Sequence, residues 1–461
     1  MFDTVFTSIG STTKLFRVHN PNNGQVNISS ISLARGSSSF YRLNVDGVPG
    51  KSFSNVQIAA KDSMYIFVEV TINPNYNPIT SPFIYRDSII FQLNGNTQYF
   101  SLTAFGQNAY YHMPNLKLIE NSTQALYYSL DTNHVGAANV TWKNDKPHLI
   151  YGYVVVDSLH HLTIPAGTNI YIHSGGGLWV YRYGSINIGS MGTTTTQVTF
   201  QGDRLEQEYK DVPGQWDRIW INEGSTTNTI TNTLIKNAYI GVHAGYAALD
   251  GLGITYTPGT PSANLTINNT IIQNCSYSGM LAHGYTVTGG DNVVVNCGQH
   301  LLEFDYGGSY SFYQCTFANY WNQTNNSSGS SARTTPSFYF NNYFNGNVLN
   351  PFTNLIFGNC IMDGTLAEEF QFDTLAQSGG FVPPYSFNYC ALKTGMFNAN
   401  GVHTNTCLIN QPMYFINTAA YNFDIQSNSA AINKGSPSAM GGYTTDINGH
   451  SYAKNIGAYQ Q

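Results

Sequence analysis

Thr233-Leu-Ile-Lys-Asn-Ala238, Thr270-Ile-Ile-Gln-Asn-Cys275 and Asn292-Val-Val-Val-Asn-Cys297 are three writings of one phrase. Looser copies follow at Ser311-Phe-Tyr-Gln-Cys315, Asn354-Leu-Ile-Phe-Gly-Asn-Cys360 and Tyr385-Ser-Phe-Asn-Tyr-Cys390. The intervals Cys275 to Cys297 and Cys297 to Cys315 are 22 and 18 residues. A period near twenty, made of short β-prone runs broken by Asn and Gly, marks a solenoid. Each copy can bury its apolar residues only against the copies above and below, so the repeats stack into one continuous core. On this alignment Cys275, Cys297 and Cys315 take equivalent inward positions on successive rungs, as reduced thiols packing like small hydrophobes. Asn237, Asn274, Asn296 and Asn359 precede the small residue of the phrase, which predicts a ladder of side-chain hydrogen bonds along the axis.

Composition narrows the function classes. The chain has 461 residues, more than one compact core usually holds. Charged residues are only 10% of it, while Gly (44) and Tyr (33) are abundant. Turn formers and aromatics with few charges suit an all-β exported protein. The net charge of −6, without a basic cluster, argues against nucleic acid, whose binding depends on Lys and Arg neutralising phosphates. No run approaches the 18 or so apolar residues of a membrane span. Met1 leads directly into the strand-like Phe2-Asp-Thr-Val-Phe6, so the expectation is a chain that starts after a removed export segment. All six cysteines lie between 275 and 407 and none forms a C-x-x-C pair, which speaks against zinc and thioredoxin chemistry. No cofactor or metal is expected.

Residues 1–108 have another texture: alternating blocks such as Val26-Asn-Ile-Ser-Ser-Ile-Ser-Leu33 and Ser63-Met-Tyr-Ile-Phe-Val-Glu-Val70, separated by turn signals. About seven short strands in a hundred residues predict an immunoglobulin-like β-sandwich. The segment resembles the bacterial immunoglobulin-like domains related to the ASH family, on Thr13-Lys-Leu-Phe-Arg-Val-His-Asn20 and Leu102-Thr-Ala-Phe-Gly106. That resemblance implies a spacer or a partner-binding module. Residues 109–149 read as a connector and cap. From 150 to 425 short strands alternate with Gly corners, as in Leu162-Thr-Ile-Pro-Ala-Gly-Thr168 and Gln197-Val-Thr-Phe-Gln201. These strings resemble the opening of right-handed parallel β-helix proteins. Ala430-Ala-Ile-Asn-Lys-Gly435, Thr445-Asp-Ile-Asn-Gly449 and Ile456-Gly-Ala-Tyr459 resemble the end of exported, often lipid-anchored, bacterial members, which makes 426–461 a C-terminal capping segment. The resemblance implies a right-handed helix of roughly ten rungs, outer-membrane or extracellular placement, and a lipid anchor upstream.

Many β-helix proteins degrade polysaccharides, a chemistry that needs acids gathered on one face. The "W-I-D-H" and "R-x-P-x-x-R" strings of pectate lyases are absent, and the polygalacturonase series reduces to Gly289-Gly-Asp-Asn292. Aligning rungs places His243, Leu281 and Glu303 in one outward column, with His283 and Asp305 in the next. Glu303 and Asp305 are i, i+2 on a strand, so they share a face about 6.5 to 7 Å apart at Cα, a spacing suited to a glycosidase acid pair. The plain alternative is two solvated polar residues on an exposed strand. Trp321, Tyr339 and Tyr343, with His283, are the candidate sugar-binding residues, because aromatic faces stack on sugar C–H groups. They belong to an insertion, 321–352, that includes the Ser/Asn/Gly stretch Asn325–Ser331; a second insertion spans 247–263. Insertions at rung corners project on one side of a solenoid. Trp216 and Trp220 read as packing residues, and Asp203, Arg204 and Glu206 as a loop-fixing ion network. The sequence leans toward a non-catalytic protein contacting glycan or an envelope partner protein. The alternatives are a polysaccharide lyase or glycoside hydrolase working in the helix groove, and a structural subunit of an envelope complex.

Overall fold

The structure, a computed structural model, describes residues 2–76, 83–121, 124–130, 139–191, 196–245, 264–321, 333–344, 347–348, 351–375 and 385–460. The insertion 247–263 and the stretch 325–331 lie outside the described residues. The chain divides into two compact units, Met1–Tyr110 with Leu205–Gln207, and Tyr111–Arg204 with Glu208–Gln461. Among the described residues no helix is long and apolar enough to cross a membrane.

The first unit holds a five-stranded and a four-stranded sheet. In Ser63–Val70 the alternation is strict: Met64, Ile66, Val68 and Val70 are buried. They join Ile31, Tyr85, Ile89 and Leu102 of the other sheet in one core. Period-two patterning thus gives each sheet one apolar face, and the two faces bury each other.

The second unit winds through three long sheets of 11, 10 and 10 strands, called I, II and III here in the order the chain visits them. Consecutive coils pair parallel, as in Asn169–Ile172 with Val198–Gly202 on sheet I and Ser185–Ile188 with Asn228–Thr231 on sheet III. This is a parallel β-helix. Its logic is visible in one inward column of sheet I: Ile170, Phe200, Ile235, Ile272, Val294, Phe317, Met362 and Leu392 lie in register. All are buried in one core, each contributing about 1.5–3 kcal/mol of apolar burial. Residues 109–149 do more than connect. Tyr110–His112, Gln124–Leu130 and Asn139–Thr141 each enter one of the three sheets.

The repeated phrase proves to be a corner device used at two different corners. Asn237, Asn274 and Asn296 are left-handed, with φ of 62°, 59° and 52°, and turn the chain from sheet I to sheet II. Asn269, Asp291, Gln314 and Asn359, with φ of 48°, 54°, 53° and 51°, turn it from sheet III to sheet I. Asn tolerates this region better than most side chains, which explains its recurrence. The expected cysteine ladder is corrected accordingly. Cys275 and Cys297 follow the sheet I strands, whereas Cys315, Cys360, Cys390 and Cys407 precede theirs. Cys315 is therefore not equivalent to Cys297, and the 18-residue interval crosses from one corner to the other. All six are buried and free. Of the expected Asn ladder, the bond from Asn274 Nδ2 to Asn237 Oδ1 forms, at 2.8 Å. Asn296 and Asn359 instead donate to Thr418 O and Ser436 O.

Those two bonds reflect the path of the C-terminal segment. Met413, Phe415, Phe423, Ile425, Ala431, Ile456 and Ala458 pack on Val293, Val295, Ala318, Ile361 and Ala391, residues of successive sheet I strands. Residues 426–461, expected as a cap, thus lie along the side of the stack. In chain order, 203–218 and 320–337 connect sheet I strands to sheet II strands, and 246–263 and 374–384 connect sheet II strands to sheet III strands.

Candidate functional site

The outer face of sheet II collects the chemistry. Its register places Trp179, Trp220, His243, Leu281, Glu303, Tyr339 and Gln371 in one outward column. Gly245, His283 and Asp305 form the next. Inward partners such as Met280, Leu302, Phe304 and Phe340 are wholly buried, which locks the strands against the one-residue slip that would reverse every face.

The two acids of Leu302–Asp305 have different surroundings. Glu303 is 8% exposed. Its Oε2 accepts from Ser278 Oγ at 2.6 Å, and its Oε1 from Tyr277 hydroxyl at 3.3 Å. Burial, with the nearby Asp305 adding to it, raises its pKa against the opposing pull of His300, Ser278 and His283. Asp305 is more open, and its Oδ2 lies 3.4 Å from His283 Nε2.

Behind His283 runs a chain whose direction is set by its first donor. Asp217 accepts from Arg218 Nε at 3.0 Å and Nη2 at 2.9 Å, and from the Tyr153 hydroxyl. Arg218 Nη1 meets His243 Nδ1 at 3.1 Å, and His243 Nε2 meets His283 Nδ1 at 3.4 Å. A guanidinium can only donate, so His243 Nδ1 accepts and its proton sits on Nε2. His283 then accepts at Nδ1 and donates from Nε2 to Asp305. The chain orients His283 and supplies the carboxylate of Asp305 with a donor.

A half-buried aromatic rim surrounds the acids. Tyr339 and Tyr343 hydroxyls both donate to Asp373 Oδ2, at 2.8 and 2.9 Å. Tyr306 lies 4.8 Å from His283 and Tyr339 5.4 Å from His300, between ring centres. Tyr339, Tyr343 and His283 thus occupy one face with Glu303 and Asp305. Trp321 does not join them. It follows the sheet I strand Thr316–Asn319 and is only 8% exposed, too covered to offer a ring face to a sugar. Trp179 and Trp220 stack at 4.8 Å, each 4% exposed, and are likewise packing. Trp216 is buried in the core. Asp203 pairs with His173, while Arg204 lies over Tyr209.

Sequence reasoning missed Asp217, Arg218, Tyr277, Ser278, His300 and Asp373. For Asp373 a signal existed: Leu302-Glu-Phe-Asp305 and Phe370-Gln-Phe-Asp373 are the same strand pattern two sheet II strands apart. The others lie on corners or strand starts, whose reach across rungs is invisible without the register. Among the described residues no cluster of His, Cys, Asp or Glu has the grouping of a metal site.

No family model matches the sequence, and no curated protein is similar to it. Two solved structures are similar in part. The catalytic unit of a GH87 alpha-1,3-glucanase from Streptomyces thermodiastaticus matches over 86% of this chain and 87% of its own, at 9% identity and a TM-score of 0.27. A family 123 glycoside hydrolase from Clostridium perfringens matches over 26% of this chain and 23% of its own, at 13% identity and a TM-score of 0.17. At TM-scores this low neither likeness bears on the activity, which rests on the geometry of the face.

Proposed function

We propose that the outer face of sheet II is the active site of a glycoside hydrolase acting on a polysaccharide laid along the helix. This reverses the preference for a non-catalytic role drawn from sequence. The observation that carries it is the unequal acid pair: Glu303 buried and raised in pKa, Asp305 more open and facing the His283 donor. Two carboxyl groups in unlike surroundings, one buried and one open, suit the acid and base roles of glycoside hydrolysis. Protonated Glu303 gives its proton to the glycosidic oxygen as the C–O bond breaks. Asp305 takes a proton from the water that attacks the anomeric carbon from the opposite side. One water is consumed, and proton exchange with solvent restores both groups. The rim of Tyr277, Tyr306, Tyr339 and Tyr343 positions the sugar rings. Export, a lipid anchor and an immunoglobulin-like first unit acting as spacer complete the proposal, with polysaccharide outside the cell as substrate.

A second reading, a glycan binder without turnover, is favoured by Glu303 having both oxygens already engaged. Release of reducing ends from a polysaccharide panel separates the two. Glu303→Gln and Asp305→Asn should each lower kcat about 10²–10⁴-fold while binding of the same polysaccharide persists. Binding without turnover in the unaltered protein would install the second reading. Neither binding nor turnover would remove both.

A further inference from the structure

A cavity on a different side of the β-helix is independent of the acid pair. It lies where the C-terminal segment crosses the end of sheet I and has a volume of about 470 Å³, within the usual range for small-molecule sites. Parallel register builds its floor: Met362 pairs with Leu392 and Leu392 with Ile409, so Asp363, Lys393 and Asn410 follow one another up the stack. Asp363 is 8% exposed, and its Oδ2 accepts the Tyr320 hydroxyl at 2.8 Å. Asn410 is occupied twice by the Thr394 backbone, at 3.1 and 2.8 Å. The partly buried Lys393 ammonium makes no hydrogen bond or ion pair among the described residues. Tyr414 stands at the wall with 49% exposure, and the buried Met413 lies beside it.

We infer that this cavity is a binding site for a carboxylated monosaccharide, a hexuronic acid. Lys393, which makes no hydrogen bond or ion pair among the described residues, takes the sugar carboxylate. Asp363 is an acceptor fixed by Tyr320 and takes ring hydroxyls. The half-exposed Tyr414 ring covers a C–H face of the sugar, the usual aromatic contribution to such sites. An ammonium-bearing ligand is disfavoured at Asp363, because Lys393 is close enough to act on that carboxyl and would repel a second cation.

The test is a calorimetric titration of the whole chain with D-glucuronate and D-galacturonate, alongside D-glucose and L-phenylalanine. A parallel titration follows the Met413 methyl signal by NMR. Saturable uronate binding, at least tenfold tighter than glucose, with a shift of the Met413 methyl, is expected. Lys393→Gln should remove the preference for the charged sugar, and Tyr414→Ala should weaken both sugars; Glu303→Gln should change neither. Absence of saturation by uronates, equal affinity for glucose, tighter binding of phenylalanine, or an unmoved Met413 methyl would each overturn the assignment. Should Lys393→Gln fail to fold, the methyl shift in the unaltered protein decides. Loss of turnover at Glu303 leaves this site intact, so the two proposals fail separately.

Discussion

Replacing Glu369 by Gln should be among the most damaging single changes in the second unit. Glu369 and Arg333 have side chains that are 0% exposed and pair bidentately, at 2.6 and 2.9 Å. Glu369 also accepts from Ser337 N at 3.0 Å, Ser337 Oγ at 2.6 Å and Leu366 N at 2.8 Å. This network pins the end of the 320–337 connection just before Phe338–Asn341, the strand that delivers Tyr339 to the site. Glu369→Gln keeps the shape but leaves a buried guanidinium without its counter-charge, a loss of about 3–5 kcal/mol. It also turns an amide N–H₂ toward groups that already donate. Arg333→Met should cost less, because Glu369 keeps the Ser337 and Leu366 donors and can take up a proton. Changing both residues to Met should recover part of the loss, since an apolar pair escapes the desolvation of two ions. Urea unfolding followed by circular dichroism reads these differences, and thermal melting should fall by about 6–10 °C for Glu369→Gln, at roughly 2 °C per kcal/mol. A loss below about 1 kcal/mol, or a double variant worse than the two single losses combined, would refute the reasoning.

Two further outcomes follow from buried ionisable groups. Burial and the neighbouring Asp446 push Asp291 from 3.8 up to about 8, against the Gln314 amide. The folded protein therefore holds a proton that the unfolded chain has released, and stability should decline as pH rises from about 4 to about 8. Asp291→Asn, which tolerates the left-handed backbone there, should flatten that decline in melts at pH 5 and 9; an unchanged slope would sink the claim. The donor chain behind Asp305 predicts that His243 and His283 are both Nε2–H tautomers at neutral pH, readable by ¹⁵N NMR. Arg218→Met should release His243 from its tautomer, and an Nδ1–H form of His243 in the unaltered protein would contradict the assigned direction.

The solenoid was legible in the sequence because its cause is local. Val-rich runs of three to five residues, each followed by an Asn able to turn left-handed, specify short strands and tight corners wherever they stand. The facing of Glu303 with Asp305, and of His243 with Leu281, was legible for a related reason: side chains alternate with period two, and the parallel pairing keeps register from 240 to 305 across the 247–263 insertion. Sequence could not tell one corner from another, since the Asn-small phrase serves both, and so Cys315 was assigned to the wrong column. Nor could it separate a ring that faces outward from one that packs: Trp321 and Tyr339 belong to the same insertion, yet only the path of the chain across sheet I buries the first. The meeting of Arg218, His243 and His283, the Arg333–Glu369 pair, and the C-terminal segment lying along sheet I are products of stacking. In each, residues 25 to 142 positions apart come within bonding distance only because the rungs are about 4.8 Å apart, a proximity that local propensity does not encode.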